Sequence, residues 1–143
     1  MDQARILIVD DDVSFLARLK ARLEAYGFAV NTAADGRGAL ERTSETEFDA
    51  VVLDVQMPGM DGETALAELL KRNVDLNVIM LTGYASIDKG VDAMKTGAFD
   101  YLEKPANMTQ LVERLRAARQ KRLLLLEKDK ENKLRDILKS KSW

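Results

Sequence analysis

The most informative segment of the chain is Phe48-Asp49-Ala50-Val51-Val52-Leu53-Asp54-Val55-Gln56-Met57-Pro58-Gly59-Met60-Asp61-Gly62. It opens with an apolar run at residues 50–53, which is typical of a short strand buried on both faces. Asp54 follows where that run stops, and the Gly and Pro residues after it indicate a turn that leads into a helix. Side chains at the carboxyl ends of strands line the ligand crevice of an open parallel sheet. Asp54 is therefore placed where chemistry is expected.

Along the whole chain, apolar runs of strand length alternate five times with apolar residues at helical spacing. The predicted strands are residues 5–10, 28–32, 50–53, 78–81 and 99–102. The predicted helices are residues 16–26, 39–43, 63–72, 87–94 and a last helix opened by residue 111, with a turn at Asp35-Gly36. The connections are too long for hairpins, so they predict right-handed crossovers. We expect an α/β fold with a doubly wound, five-stranded parallel sheet and five helices.

Composition excludes several classes of protein. The 143 residues suffice for one domain with a full core, and no apolar run approaches the ~20 residues that a membrane span requires. There is no cysteine, which fits a reducing compartment, and we expect a cytoplasmic protein. There is also no histidine, so histidine-based catalysis and histidine metal ligands are excluded. Any metal must be held by oxygen, which favours Mg²⁺, Mn²⁺ or Ca²⁺.

Functional side chains end four of the five predicted strands, and parallel topology brings such ends to one edge of the sheet. They are Asp10 with Asp11, Asp54, Thr82 and Lys104. Carboxylates packed together favour a bound cation, and Mg²⁺ keeps water ligands that a phosphate oxygen can replace. Lys104 adds a positive charge and Thr82 a hydroxyl, so the set can hold a phosphoryl group with Asp54 as nucleophile. Asp12 is either a third metal ligand or, as we favour, the cap of the first helix.

Four segments together carry a resemblance to a known family. They are Ile6-Leu7-Ile8-Val9-Asp10-Asp11-Asp12, then residues 53–62, then Leu81-Thr82-Gly83, and then residues 93–105 from Ala93 to Lys104-Pro105. In this order they resemble the receiver domain of bacterial two-component response regulators. The resemblance covers about residues 4–121 and implies a flavodoxin-like sheet with strand order 2-1-3-4-5, the order found in members of this family.

The resemblance also implies roles for individual residues. Asp54 would be the phosphoacceptor in a phosphorelay, taking its phosphoryl group from a sensor histidine kinase or a histidine phosphotransfer protein. Mg²⁺ would be bound by Asp11, Asp54 and the backbone carbonyl of Gln56, with Asp10 acting through water. Lys104 and Thr82 would contact the phosphoryl oxygens.

Three further roles follow from the same resemblance. Thr82 and Tyr101 would move together as a switch, and Gln56 and Tyr84 would tune the lifetime of the aspartyl phosphate. The surface that changes would be the fourth helix, fifth strand and fifth helix, through which the chain would form homodimers. The chain would be a signalling module and not an enzyme.

The C-terminal segment departs from the receiver pattern. We divide the chain into a receiver domain at 1–121 and a helical extension or linker at 122–143. The residues from Arg119 onward carry nine basic and four acidic side chains, whereas the rest of the chain is acidic. Four consecutive leucines, residues 123–126, need a partner on at least one side, but the polar run at 127–133 breaks a regular coiled coil. We expect a helical arm that can take part in dimerisation, with a disordered end as the alternative and without direct nucleic-acid or membrane binding.

Three other functions compete with this interpretation. A phosphatase of the haloacid dehalogenase type would use the Asp-x-Asp spacing of Asp10 and Asp12, but the Gly-Thr that should follow is missing. A flavin-binding flavodoxin would need a Ser/Thr/Gly-rich loop after the first strand, where this chain has Asp10-Asp11-Asp12-Val13-Ser14. A receiver that only docks and is never phosphorylated would not need the complete set of site residues.

Overall fold

The structure is a computed structural model that describes residues 3–57, 59–83, 86–104 and 107–141. Within these residues, strands and helices alternate along the chain. The strands are β1 (Arg5–Val9), β2 (Ala29–Ala33), β3 (Ala50–Asp54), β4 (Val78–Thr82) and β5 (Asp100–Glu103). The helices are α1 (Val13–Ala25), α2 (Gly36–Glu45), α3 (Gly62–Arg72), α4 (Ile87–Thr96) and α5 (Met108–Ser140).

The five strands form one parallel sheet in the order β2-β1-β3-β4-β5, which confirms the predicted fold and strand order. Successive residues of a strand point to opposite faces, and here both faces are covered. Ile6 and Ile8 pack with α1 and α5, whereas Leu7 and Val9 pack with α2, α3 and α4. The sheet therefore lies between two helical layers, and its functional groups emerge at the strand ends.

Several predicted boundaries differ by a few residues from those of the structure, and two of the differences have a clear physical reason. The Asp35 side chain accepts a hydrogen bond from the N–H of Gly38, so it caps a helix that begins at Gly36, where a turn was predicted. The fifth strand begins at Asp100 and not at Phe99. Phe99 still donates a hydrogen bond to the carbonyl of Val78, but its ring turns toward the layer that contains α1 and α5.

The last helix continues far beyond the body, because residues 108–140 contain no Gly or Pro to end it. It is tied to the sheet at the end remote from Asp54. Arg119 and Arg122 donate to the buried carboxylate of Asp49, and Arg122 also pairs with Glu47. Asn77 donates from its amide to the carbonyl oxygens of Asp49 and of Ala118. Beyond this anchor, the helix from Leu123 onward is exposed.

None of the helices described in the structure is both long enough and apolar enough to span a membrane.

Candidate functional site

Asp54 is the last residue of β3, a strand whose five residues are all buried. Its side chain is 7% exposed, and the N–H of Gln56 is directed at Oδ1 over 3.4 Å. The chain then turns sharply, and the N–H of Gly62 donates to the carbonyl of Val55 at 2.9 Å. A Cβ atom on Gly62 would lie 2.4 Å from the carbonyl oxygen of Asp54. A glycine is therefore required for the start of α3 to approach the strand that carries Asp54.

Three carboxylates meet at this end of the sheet. Asp10, directly after β1, is buried, whereas Asp11 is exposed. One carboxylate oxygen from each of Asp10, Asp11 and Asp54 can be chosen so that all three lie within 4.8 Å of one another. Asp10 Oδ1 also accepts a hydrogen bond from the N–H of Asp12 at 2.9 Å, which fixes the loop after β1. The donor atoms are all oxygens, and oxygen ligands with room for water are what Mg²⁺ prefers. The cluster thus has the chemistry of a hard-cation site.

Lys104 is the positive charge of the site. Its Nζ atom lies 2.6 Å from Asp10 Oδ2 and 3.3 Å from Asp54 Oδ1, and it stands 4.5 Å from the centroid of the Phe15 ring. The backbone N–H of Lys104 donates to the carbonyl of Thr82, so the residue after β5 is held to the end of β4. The ammonium group is thereby placed between two carboxylates, each from a different strand end.

These contacts change the acid–base properties of Asp54 and Lys104. Burial, and then the charge of Asp10, raise the pKa of Asp54, although Lys104 and the N–H of Gln56 partly offset this. Burial alone would lower the pKa of Lys104, but its hydrogen bond to Asp10 and the charges of Asp10 and Asp54 raise it above the ordinary lysine value. Lys104 is therefore charged at neutral pH, and the carboxylate of Asp54 is costly to keep ionised without a further cation.

Thr82 and Tyr101 lie on the neighbouring strands β4 and β5. Thr82 ends β4 and is 1% exposed. Tyr101 is half-buried, and its ring lies against Gly90 of α4, where an added Cβ would be 3.1 Å from Tyr101 Cδ1. Among the residues that the structure describes, none accepts a hydrogen bond from the buried Tyr101 hydroxyl. Gly90 thus provides the space that this ring occupies.

The remaining predicted site residues have different surroundings. The side chain of Gln56 is exposed, two residues after Asp54. Tyr84 lies outside the described residues. Asp12 caps α1, since its Oδ1 accepts from the N–H of Phe15 at 3.0 Å. That hydrogen bond uses the carboxylate that a haloacid dehalogenase-type phosphatase would need as its second aspartate.

Sequence analysis missed two features. One is Phe15, whose ring lies beneath the Lys104 ammonium group. The sequence could have indicated this contact, because Phe15 lies on the first turn of α1, which begins directly after the acidic loop. The other is the pairing of Asp49 with Arg119 and Arg122, which joins residues 70 and 73 positions apart. No local sequence pattern predicts such a contact.

Comparisons with known proteins agree with this geometry. Residues 6–116 match the family model described as the response regulator receiver domain. The transcriptional regulatory protein ZraR of Escherichia coli (strain K12) is 44% identical over 110 residues, which are 77% of this chain and 25% of ZraR. The chain therefore spans about a quarter of that relative.

Solved structures give the same result. A receiver domain protein from Clostridium thermocellum is 35% identical, with a TM-score of 0.81 over 85% of this chain and 98% of that one. The beryllofluoride-activated NtrC4 receiver domain dimer is 36% identical, with a TM-score of 0.76 over 81% of this chain and 96% of that one.

Proposed function

The chain belongs to the response regulator receiver domain family, and on that premise we propose that Asp54 accepts a phosphoryl group from a phosphohistidine of a partner protein. One observation carries the proposal: Asp54 ends the central strand between an acidic cluster and the ammonium group of Lys104, 3.3 Å away. The donor is a sensor histidine kinase or a histidine phosphotransfer protein, since this chain has no histidine of its own. The domain is a signalling module.

In the transfer, a carboxylate oxygen of Asp54 attacks phosphorus as the phosphorus–nitrogen bond of the donor breaks. The electron pair of that bond returns to the histidine nitrogen, and Asp54 becomes an aspartyl phosphate. Lys104 exchanges its contact with Asp54 for one with a phosphoryl oxygen, and the Thr82 hydroxyl donates to another. Gln56 and Tyr84 come two residues after Asp54 and Thr82 in the sequence, and on that ground we assign to them an effect on how readily water attacks the group.

Asp10, Asp11 and Asp54, with the backbone carbonyl of Gln56, would hold Mg²⁺. When bound, this ion supplies positive charge that offsets the carboxylates and the incoming phosphoryl oxygens. The oxygen-only cluster and the raised pKa of Asp54 support this assignment. Asp11→Ala, at an exposed position, should leave the fold intact and abolish metal-dependent phosphorylation.

Intact-mass spectrometry after incubation with Mg²⁺ and acetyl phosphate tests the proposal. One added phosphoryl group is expected on the wild type and none on Asp54→Asn. Label that survives in Asp54→Asn and disappears in Asp10→Asn would support the phosphatase alternative. Absence of label on the wild type would support a domain that only docks.

We further propose that the phosphoryl group acts through the face formed by α4, β5 and α5. Thr82 turns toward the phosphoryl group, and Tyr101 turns into the space that this leaves. The apolar side chains of Ile87, Val91 and Met94 are 85%, 45% and 48% exposed on α4, and they line a groove together with Tyr101. This apolar groove offers a surface to a second copy of the chain, and the similar NtrC4 receiver domain is a dimer when activated by beryllofluoride.

Sedimentation with and without beryllofluoride tests the pairing. The mimic should strengthen pairing of the wild type, and Ile87→Glu should abolish that gain. Val74→Glu is the matched control, because Val74 is 81% exposed but lies in the loop between α3 and β4. An equal response of both variants would exclude this face as the dimer interface.

A further inference from the structure

The extension of α5 carries apolar side chains that the body does not cover. Leu123, Leu126, Leu134, Ile137 and Leu138 are between 41% and 62% exposed. With 3.6 residues per turn, these five side chains fall within a sector of about 120° of the helix surface. We call this sector the apolar stripe.

The spacing of the apolar stripe differs from a heptad repeat. Leu134 follows Leu123 by 11 residues, and Ile137 follows Leu126 by the same interval. Eleven residues make three turns of a nearly straight α-helix, so side chains with this spacing stay on one side of the helix. A heptad repeat, in contrast, drifts around the surface of a straight helix. The polar run at residues 127–133 breaks a heptad seam but leaves the 11-residue pattern intact. Two straight helices can therefore pair along it.

The apolar stripe lies on a different side of α5 from β5. Arg114 and Lys121 stand over the Phe99 ring, just before β5, and Arg114 pairs with Asp100. By helical geometry, these two side chains are about 170° around α5 from the centre of the stripe. A contact through the stripe is thus separate from the face formed by α4, β5 and α5.

The charges beside the apolar stripe match those of a second copy in parallel orientation. Glu131 lies along one flank and Lys133 along the other, each about 80° from the centre of the stripe. In a parallel pair, one helix's acidic flank faces the partner's basic flank, whereas an antiparallel pair brings like flanks together. Glu127 and Lys130 fall within the stripe, and charged side chains at such positions lower the affinity of the pair.

We propose that two copies of this chain pair in parallel and in register through the apolar stripe, whether or not Asp54 is phosphorylated. The contact rests on residues of the extension alone, so it does not depend on the function proposed for Asp54. It would hold two receiver domains together and leave the groove on α4 free.

Disulfide cross-linking tests this inference cleanly, because the chain contains no cysteine. Lys130→Cys and Lys141→Cys place single thiols along the centre of the stripe, and neither removes an apolar residue. Asn132→Cys is the matched control on the opposite side of the helix. In a parallel pair, both stripe positions lie beside their equivalents. An antiparallel pair would instead be centred on Lys130, with the leucines before it packed against the apolar residues after it in the other helix. Lys141 would then lie about 30 Å from its equivalent.

Under mild oxidation of the full chain, we expect a predominant cross-linked dimer for Lys130→Cys and Lys141→Cys and only background for Asn132→Cys. Asp54→Asn should not change this result, and Leu134→Glu with Ile137→Glu should reduce cross-linking to background. Cross-linking at Lys130→Cys alone would mean an antiparallel pair. Equal cross-linking at all three positions, or cross-linking at none, would mean that the stripe does not pair. The antiparallel result and both of these results would overturn the proposal.

Discussion

The Nζ atom of Lys104 lies 2.6 Å from Oδ2 of Asp10, and this contact joins the residue after β5 to the residue after β1 across 94 positions of sequence. The Asp10 side chain is only 3% exposed, so its carboxylate depends on this partner for compensation. The same ammonium group is 3.3 Å from Asp54. Lys104 therefore stabilises the acidic cluster when no cation is present.

Replacing Lys104 should consequently destabilise the metal-free protein. Lys104→Met leaves Asp10 and Asp54 without their cation, and we expect the free energy of unfolding at pH 7 to fall by about 1–3 kcal/mol. The raised pKa of Lys104 means that its contribution is fully present below the ordinary lysine pKa and is lost as pH rises through the raised value. Urea unfolding measures the change, with the exposed Lys89→Met as control. Equal stabilities of the two variants would contradict the role given to Lys104.

Asp54 should have the opposite effect on stability. Because its folded-state pKa is raised, ionising it costs stability, and this cost grows as pH rises through the ordinary carboxyl range and is full above the raised pKa. Asp54→Asn should therefore unfold at higher urea than the wild type at pH 7 without metal, and the difference should shrink at acid pH. Mg²⁺ should stabilise the wild type more than it stabilises Asp54→Asn.

Asp61 provides the control for that experiment. Hydrogen bonds from the backbone and side chain of Thr64 lower the pKa of Asp61, so its contribution is present above the ordinary carboxyl pKa and is lost as pH falls. Asp61→Asn should consequently not be stabilised at pH 7. If Asp54→Asn shows no gain in stability, as expected for Asp61→Asn, the buried charge of Asp54 does not destabilise the folded protein and the prediction is wrong.

The turn after Asp54 should be sensitive to a single methyl group. A Cβ on Gly62 would lie 2.4 Å from the carbonyl oxygen of Asp54 and 2.5 Å from Cα of Val55, and both are backbone atoms that cannot swing away. We expect Gly62→Ala to cost about 3 kcal/mol or more and to reduce phosphorylation by acetyl phosphate. Gly83→Ala is the control, because within the part of the chain that the structure describes no atom outside its chain neighbours lies within 4 Å of its Cβ position. Similar losses in both variants would contradict the close approach of α3 to β3.

The ion pairs of Asp49 with Arg119 and Arg122 should hold α5 against the sheet. Asp49→Asn keeps the shape of the side chain but removes the charge that Arg119 and Arg122 share, and we expect a loss of about 2 kcal/mol. Amide hydrogen exchange near residues 119–126 should rise, since the helix there is held by that carboxylate. Asp129→Asn breaks only an exposed pair with Lys133 and should cost about 0.5 kcal/mol or less. Unchanged exchange near Arg119 in Asp49→Asn would show that other contacts hold the helix.

Sequence reasoning succeeded where the information is local. The apolar runs ending in Asp54, Thr82 and Asp10 predict both the parallel strands and the edge of the sheet at which those residues stand. It failed where a contact joins distant segments: Asp49 was placed only in the lead-in to the central strand, and nothing near it indicates Arg119 or Arg122. It also misplaced the start of α2, because Asp35-Gly36 is compatible with a turn and with a capped helix start, and only the hydrogen bond to Gly38 distinguishes them.

Borohydride reduction identifies the phosphorylated residue, because it converts an aspartyl phosphate into homoserine and so marks the acceptor permanently. The wild type is treated with Mg²⁺ and acetyl phosphate, reduced, digested and sequenced by mass spectrometry. We expect homoserine at position 54, and none there when the phosphodonor or the metal is withheld. Homoserine at Asp10 or Asp11 in place of Asp54 would contradict it.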